Sequence, residues 1–129
     1  MAEGIFKSLI GRKVFVQSAG IFDTLEIDGF TVKVCDEINV KLSKHRVRSL
    51  REMEKEGGFI GSFDLIIPLT KESSEEVYKY SAYSSVMIED WTVDEPIQYE
   101  NDIGQTLSSY RVIRDIIFDK IIERFQEHI

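Results

Sequence analysis

Cysteine, proline and tryptophan are nearly missing from this chain: 129 residues carry one Cys, two Pro and one Trp. A lone thiol excludes a disulfide framework and a thiolate cluster for zinc. No apolar run approaches the ~20 residues that cross a bilayer. The opening residues, Met-Ala-Glu-Gly-Ile-Phe-Lys, carry an early Glu and an amphipathic pattern unlike a signal peptide. Positive charge is scarce as well. Sixteen Lys and Arg face 23 Asp and Glu, a formal charge of −7, which argues against sequence-blind nucleic-acid binding. A small anion site built from backbone amides and one arginine is still compatible with that charge. The reading is a cytoplasmic protein with no metal, no cofactor and neither nucleic acid nor membrane as partner.

What is present suits one globular domain over residues 1–129, 43% hydrophobic and 30% charged. Residues 63–70, Phe-Asp-Leu-Ile-Ile-Pro-Leu-Thr, are nearly continuous apolar sequence, bounded by Gly57, Gly58 and Gly61 before and by polar residues after. A run so short, with turn signals at both ends, predicts a strand buried on both faces of a parallel sheet. Pro68 cannot donate to a ladder and belongs at its carboxyl end.

Around that strand the pattern alternates. A helix is expected over 1–10 with Ile5, Phe6, Leu9 and Ile10 on one stripe, stopped by Gly11 and with no capping side chain. A short strand is expected over 13–17, then a polar loop. Asp28 should cap a helix carrying Phe30, Val34, Cys35 and Ile38, closed by Asn39 in a left-handed conformation. A basic connector over 42–50 leads to an acidic helical turn at 51–56. The spacing of Ser73-Ser74-Glu75-Glu76 suggests a capping box opening a helix through Tyr80. A strand over 85–89, a loop over 90–104 and a helix over 107–125 complete the chain. The last helix carries Tyr110, Ile113, Ile117, Ile121 and Phe125 as its apolar stripe. Such alternation is an α/β signature.

Six short motifs stand in a recognisable order: Met-Ala-Glu-Gly-Ile-Phe at 1–6, Ser-Ala-Gly at 18–20, Leu-Ser-Lys-His-Arg-Val-Arg at 42–48, Phe-Asp-Leu-Ile-Ile at 63–67, Asp-Trp-x-x-x-x-Pro at 90–96 and Ser-Tyr-Arg-Val-Ile-Arg-Asp at 109–115. Along its whole length the sequence resembles the low molecular weight protein tyrosine phosphatase family. The resemblance implies a three-layer αβα fold with a parallel sheet of order 2-1-3-4. It also implies that the chain starts just after the family's Cys-x5-Arg phosphate loop. The first, central strand, the nucleophilic cysteine and the phosphate-binding arginine are then missing, and the domain is amino-terminally truncated.

By the same resemblance, the pair that donates a proton to the leaving group corresponds to Glu95-Pro96, with Asp94 just before it. Glu95 and Asp94 are therefore the general-acid candidates. Cys35 is no substitute nucleophile: the residue six places on is Lys41, and two acids lie between them. A thiol there is expected to be buried packing. His45 is expected to make a structural hydrogen bond, Arg46 and Arg48 to sit on a solvated face or pair with the acidic turn, and His128 to fray. Trp91 and Tyr99 are either packing anchors or the rim of a phosphotyrosine site.

The implied activity is phosphomonoester hydrolysis through a phosphocysteine, with this chain alone inactive. Its substrates, were the loop restored, would be phosphotyrosine proteins or small phosphomonoesters. The alternative is a non-catalytic binding or assembly module on the same scaffold. In either case the strands left unpaired by the missing one are expected to favour a homo-oligomer. Arsenate reduction on the same fold would need more cysteines.

Overall fold

Apolar stripes and side-chain caps together produce five helices among the described residues. The computed structural model describes residues 1–22, 26–57, 60–79 and 85–129. In order these elements are α1 (Ala2–Ile10), α2 (Gly29–Asp36), α3 (Leu50–Lys55), β1 (Leu65–Ile66), α4 (Lys71–Tyr78), β2 (Met87–Ile88) and α5 (Ile103–Arg124). Single 3₁₀ turns lie at Ile60–Ser62 and Gln126–His128. The two strands run parallel, Leu65 opposite Met87 and Ile66 opposite Ile88. The architecture is thus mixed α/β with a small parallel sheet. No described helix is long and apolar enough to cross a membrane.

The chain divides into two compact units: Met1–Ser18 with Glu26–Arg46 and Glu95–Ile129, and Ala19–Leu25 with Val47–Asp94. In the first, α1 and α2 pack on α5. Ile5, Phe6 and Ile10 of α1, Val34 and Cys35 of α2, and Tyr110, Ile113, Ile117 and Ile121 of α5 are buried together with Phe125. Leu9 is only half-buried. The Phe6 and Phe125 rings meet edge-on with centroids 5.0 Å apart, the favoured aromatic geometry. Gly4 makes the closest approach in this unit. A Cβ there would sit 2.4 Å from Leu42 Cδ2 and 3.2 Å from Val40 Cγ1. Asp28 caps α2 by accepting from the Phe30 N–H at 2.9 Å, and Asn39 follows in a left-handed conformation at φ 62°.

In the second unit the strand reading needs correction. The 63–70 stretch is paired only at Leu65 and Ile66, and these side chains are half-buried with Asp64 exposed. Pro68 ends the possible ladder because it lacks an N–H, yet its carbonyl still accepts from the Trp91 N–H at 3.1 Å. Residues 85–89 likewise shorten to β2. Residues 13–17, in the first unit, form no strand: Phe15 is 74% exposed. Apolar content alone does not make a strand, because a ladder also needs a neighbouring strand in register. The nearest pairing is the bridge of Gly20 to Ser49, with the Gly20 N–H donating to Arg48 O and the Leu50 N–H to Gly20 O, both at 2.9 Å.

Two helices start earlier than their sequence pattern predicts, because Thr70 and Asp102 supply the caps. Thr70, not Ser73, caps α4. The Thr70 hydroxyl accepts from the Ser73 N–H at 3.1 Å, and the Ser73 hydroxyl accepts from the Thr70 N–H at 3.0 Å. Serine thus takes the third helical position that a capping box usually gives to Glu. The expected end of this helix at Tyr80 lies outside the described residues, as do Gly58 and part of the polar loop, residues 23–25. Asp102 starts α5 four residues early by accepting from the Gln105 N–H at 2.9 Å, a cap strong enough to carry Gly104 into the first turn. The 51–56 turn becomes α3, with Ser49 and Glu52 forming a capping box.

Candidate active site

An open cleft of about 420 Å³ lies in the first unit. It is lined by Met1, Asp28, Thr31, Glu95, Pro96, Gln98, Tyr110, Ile113 and Ile117. The volume falls in the range of small-molecule sites. Three elements build it: the first residue before α1, the cap and first turn of α2, and one face of α5. The segment that begins at Glu95 closes the fourth side.

That segment has no secondary structure of its own and is held by hydroxyls on α5. The Ile97 N–H donates to Ser109 Oγ at 2.6 Å, and the Tyr99 N–H donates to Thr106 Oγ1 at 2.8 Å. Thr106 is buried and its hydroxyl also donates to the Asp102 carbonyl at 3.0 Å. Gln98 Nε2 donates to the Tyr110 hydroxyl at 2.8 Å, and that hydroxyl donates to Asp28 Oδ2. One carboxylate therefore caps α2 through one oxygen and takes the buried tyrosine through the other. Burial, and then the Asp28 bond, push the Tyr110 hydroxyl's pKa above its ordinary value, so it is a fixed donor at neutral pH.

Of the two general-acid candidates, Glu95 lines the cleft, whereas Asp94 is not on its lining; both are exposed. Among the described residues Glu95 has no hydrogen-bond or ion-pair partner. The α-amino group of Met1 is held below its ordinary pKa by burial, against the upward pull of Cys35 and Glu3.

The first turn of α1 carries a hub that no local spacing in the sequence marks. Glu3 accepts from Lys7 Nζ at 3.0 Å and from Ser18 Oγ at 2.9 Å, and lies 3.3 Å from His45 Nδ1. Burial acts upward on this carboxyl, but the Lys7 and Ser18 bonds and the His45 ring together hold its pKa below the ordinary value. His45 thus stands against a carboxylate that two other residues also hold. Ser18 and His45 were visible as motif residues, yet they are 15 and 42 positions from Glu3, beyond any local spacing rule.

A second cluster clasps α2 to α5. Arg111 Nε and Nη2 grip both Glu37 oxygens at 2.9 and 2.7 Å, and Arg114 Nη1 reaches the same carboxylate at 2.8 Å. Arg114 Nη1 also donates to the Val34 carbonyl at 2.9 Å, and its Nε to Asp115 at 2.8 Å. The bond from Arg111 is the largest reason that Glu37 is held down to about 2. These arginines are engaged in structure.

Cys35 is buried, and burial pushes its thiol's pKa up, with the amino terminus and Arg114 acting the other way. Lys41, six residues on, pairs with Asp36. In the second unit Arg48 pairs with Glu56 at 3.3 Å, as expected of the connector. Trp91 Nε1 donates to Glu89 Oε2 at 2.8 Å. Asp90 accepts from Ser74 Oγ at 2.6 Å and from Thr92, and these bonds lower its pKa. Tyr99 is exposed and is held through its backbone, and His128 closes a 3₁₀ turn where its carbonyl accepts from Lys13 Nζ at 3.3 Å. Among the described residues no group of three or more His, Cys, Asp or Glu could hold a metal ion. Comparison with protein-family models and with curated proteins finds no match to this chain in either.

Proposed function

We propose that the chain is the part of a low molecular weight protein tyrosine phosphatase scaffold that follows the phosphate loop, within a three-layer αβα domain whose first strand these residues do not include. The supporting observation is that Met1, which stands next to the loop in the resemblance, and the Glu95-Pro96 pair line one cleft. α1 has no side-chain cap, so its first N–H groups and positive dipole end suit a phosphate dianion in front of it. In that reading a cysteine thiolate from a Cys-x5-Arg loop attacks phosphorus. Backbone amides and the arginine hold the equatorial oxygens, Glu95 protonates the departing alkoxide or phenolate, and water then hydrolyses the phosphocysteine.

The 129 residues alone contain no Cys-x5-Arg, so they bind or scaffold without turning over. Burial of the single thiol favours that non-catalytic reading for the isolated chain. The test is to add a strand and Cys-x5-Arg-Ser-Pro ahead of Met1 and assay aryl phosphates. Turnover should appear, and Glu95→Gln should then lower kcat roughly ten- to a thousandfold on poor leaving groups, the range for a lost general acid. Asp94→Asn should be milder. An inactive extended protein that folds defeats the proposal, and a larger loss from Asp94→Asn assigns the acid to Asp94.

A further inference from the structure

The cleft has a chemical character of its own. Its apolar walls are the side chains of Met1, Pro96, Ile113 and Ile117, and its two charged side chains, Asp28 and Glu95, are both acidic; the Met1 α-amino group is the one cationic group among the described lining residues, and burial disfavours its charge. No Lys or Arg is among the described residues that line it. Asp28 already accepts two hydrogen bonds from within the protein, while the Glu95 carboxylate has no partner among the described residues. A negative rim over an apolar floor attracts a cation attached to an apolar body and repels an anion of the same shape.

We propose that this cleft selects ligands in which an ammonium or guanidinium group sits a few bonds from an aryl or alkyl body, with Glu95 as the residue that reads the charge. Resting on the phosphatase reading, in which Glu95 is ionised when the substrate arrives and takes up its proton before the ester bond breaks, this makes the preferred substrate a phosphomonoester whose leaving group carries a positive charge. A phosphotyrosine flanked by Lys or Arg, or a small amine-bearing aryl phosphate, would supply it. The apolar walls take the body of the leaving group, and the carboxylate attracts the cation beside it. Acidic flanks face two carboxylates and are disfavoured.

Three phenols of nearly the same shape isolate the charge: tyramine, 4-ethylphenol and 3-(4-hydroxyphenyl)propionate. Each is titrated into the isotope-labelled 129-residue chain at neutral pH, following amide resonances of the cleft residues. Tyramine should bind about three- to tenfold more tightly than 4-ethylphenol, a difference suited to solvent-facing ion pairs, and the propionate should be weakest. Glu95→Gln should remove most of the tyramine preference, and a thermal melt of that variant checks that it folds. Equal binding of the three phenols, no binding of any, or a preference that survives Glu95→Gln overturns the proposal. The phosphatase reading stands or falls separately, on whether the loop-restored chain hydrolyses aryl phosphates.

Discussion

Gln98 and Tyr110 are joined by a hydrogen bond of 2.8 Å between the amide nitrogen and the phenol oxygen. The tyrosine hydroxyl in turn donates to Asp28, so a loop residue and a helix cap share one buried hydroxyl. Tyr110→Phe removes that link while keeping the ring, which packs on Phe30 with centroids 5.3 Å apart. It should cost about 1 kcal/mol, in the usual range for a lost hydrogen bond. Urea denaturation measures the loss. Faster amide exchange at Gln98 should accompany it, and unchanged exchange there would show that the tyrosine does not anchor the loop.

Glu37 sets a pH dependence. Its ordinary carboxyl value is 4.5 and in the folded chain it is held down to about 2, chiefly by its bond to Arg111. The folded state therefore prefers the ionised form. That contribution is complete above about pH 4.5 and is lost as pH falls towards 2. Urea midpoints taken from neutral pH down to pH 3 should fall for the parent and fall less steeply for Glu37→Gln. Parallel pH profiles would remove the arginine clasp from the account of acid stability.

The isolated chain should hydrolyse no p-nitrophenyl phosphate, and Cys35→Ser should leave that result unchanged. In the same preparation a disulfide reagent should modify Cys35 slowly in buffer and quickly in denaturant, because the thiol is buried and its pKa raised. Turnover abolished by Cys35→Ser would overthrow this view of the thiol.

Self-association is expected through β1. Its partner β2 takes the carbonyls of Asp64 and Ile66, from the Met87 and Glu89 N–H groups at 3.2 and 3.0 Å. Strand alternation turns the backbone groups of Leu65 and Ile67 to the opposite edge, within a run of apolar residues, and such an edge invites pairing with another chain. Light scattering should detect oligomers or the chain should melt low. A monodisperse monomer melting above about 60 °C, near the upper end for mesophilic domains, would contradict this, whereas Ile67→Pro should reduce association.

Helices were legible where amphipathic spacing and a cap coincided. α1 and α2 lie within two residues of their expected bounds, and Asn39 takes the positive φ expected of it. The stripe of α5 is buried as its period indicates. Strands were less legible, because apolar content at 13–17 and 63–70 says nothing about which neighbour offers a ladder, and pairing decides whether a run becomes a strand. In the site, Glu95 and Pro96 were found through a resemblance and Asp28 through its capping role. Glu3 with Ser18 and His45, and Gln98 with Tyr110, were not. Their partners are joined by the fold across long stretches of chain, and no local pattern encodes such a meeting.

Position 4 sets a mechanical limit on this end of the molecule. With hydrogen in place of a side chain, α1 rests against Leu42 and Val40 as a shaft rests in a bearing. A methyl group there would wedge the two apart unless Leu42 turned aside. The next residue towards the amino end is Glu3, tied to Ser18 and His45. Displacing the shaft would therefore strain contacts with two separate loops at once, and Met1 at its tip would carry the displacement into the wall of the cleft.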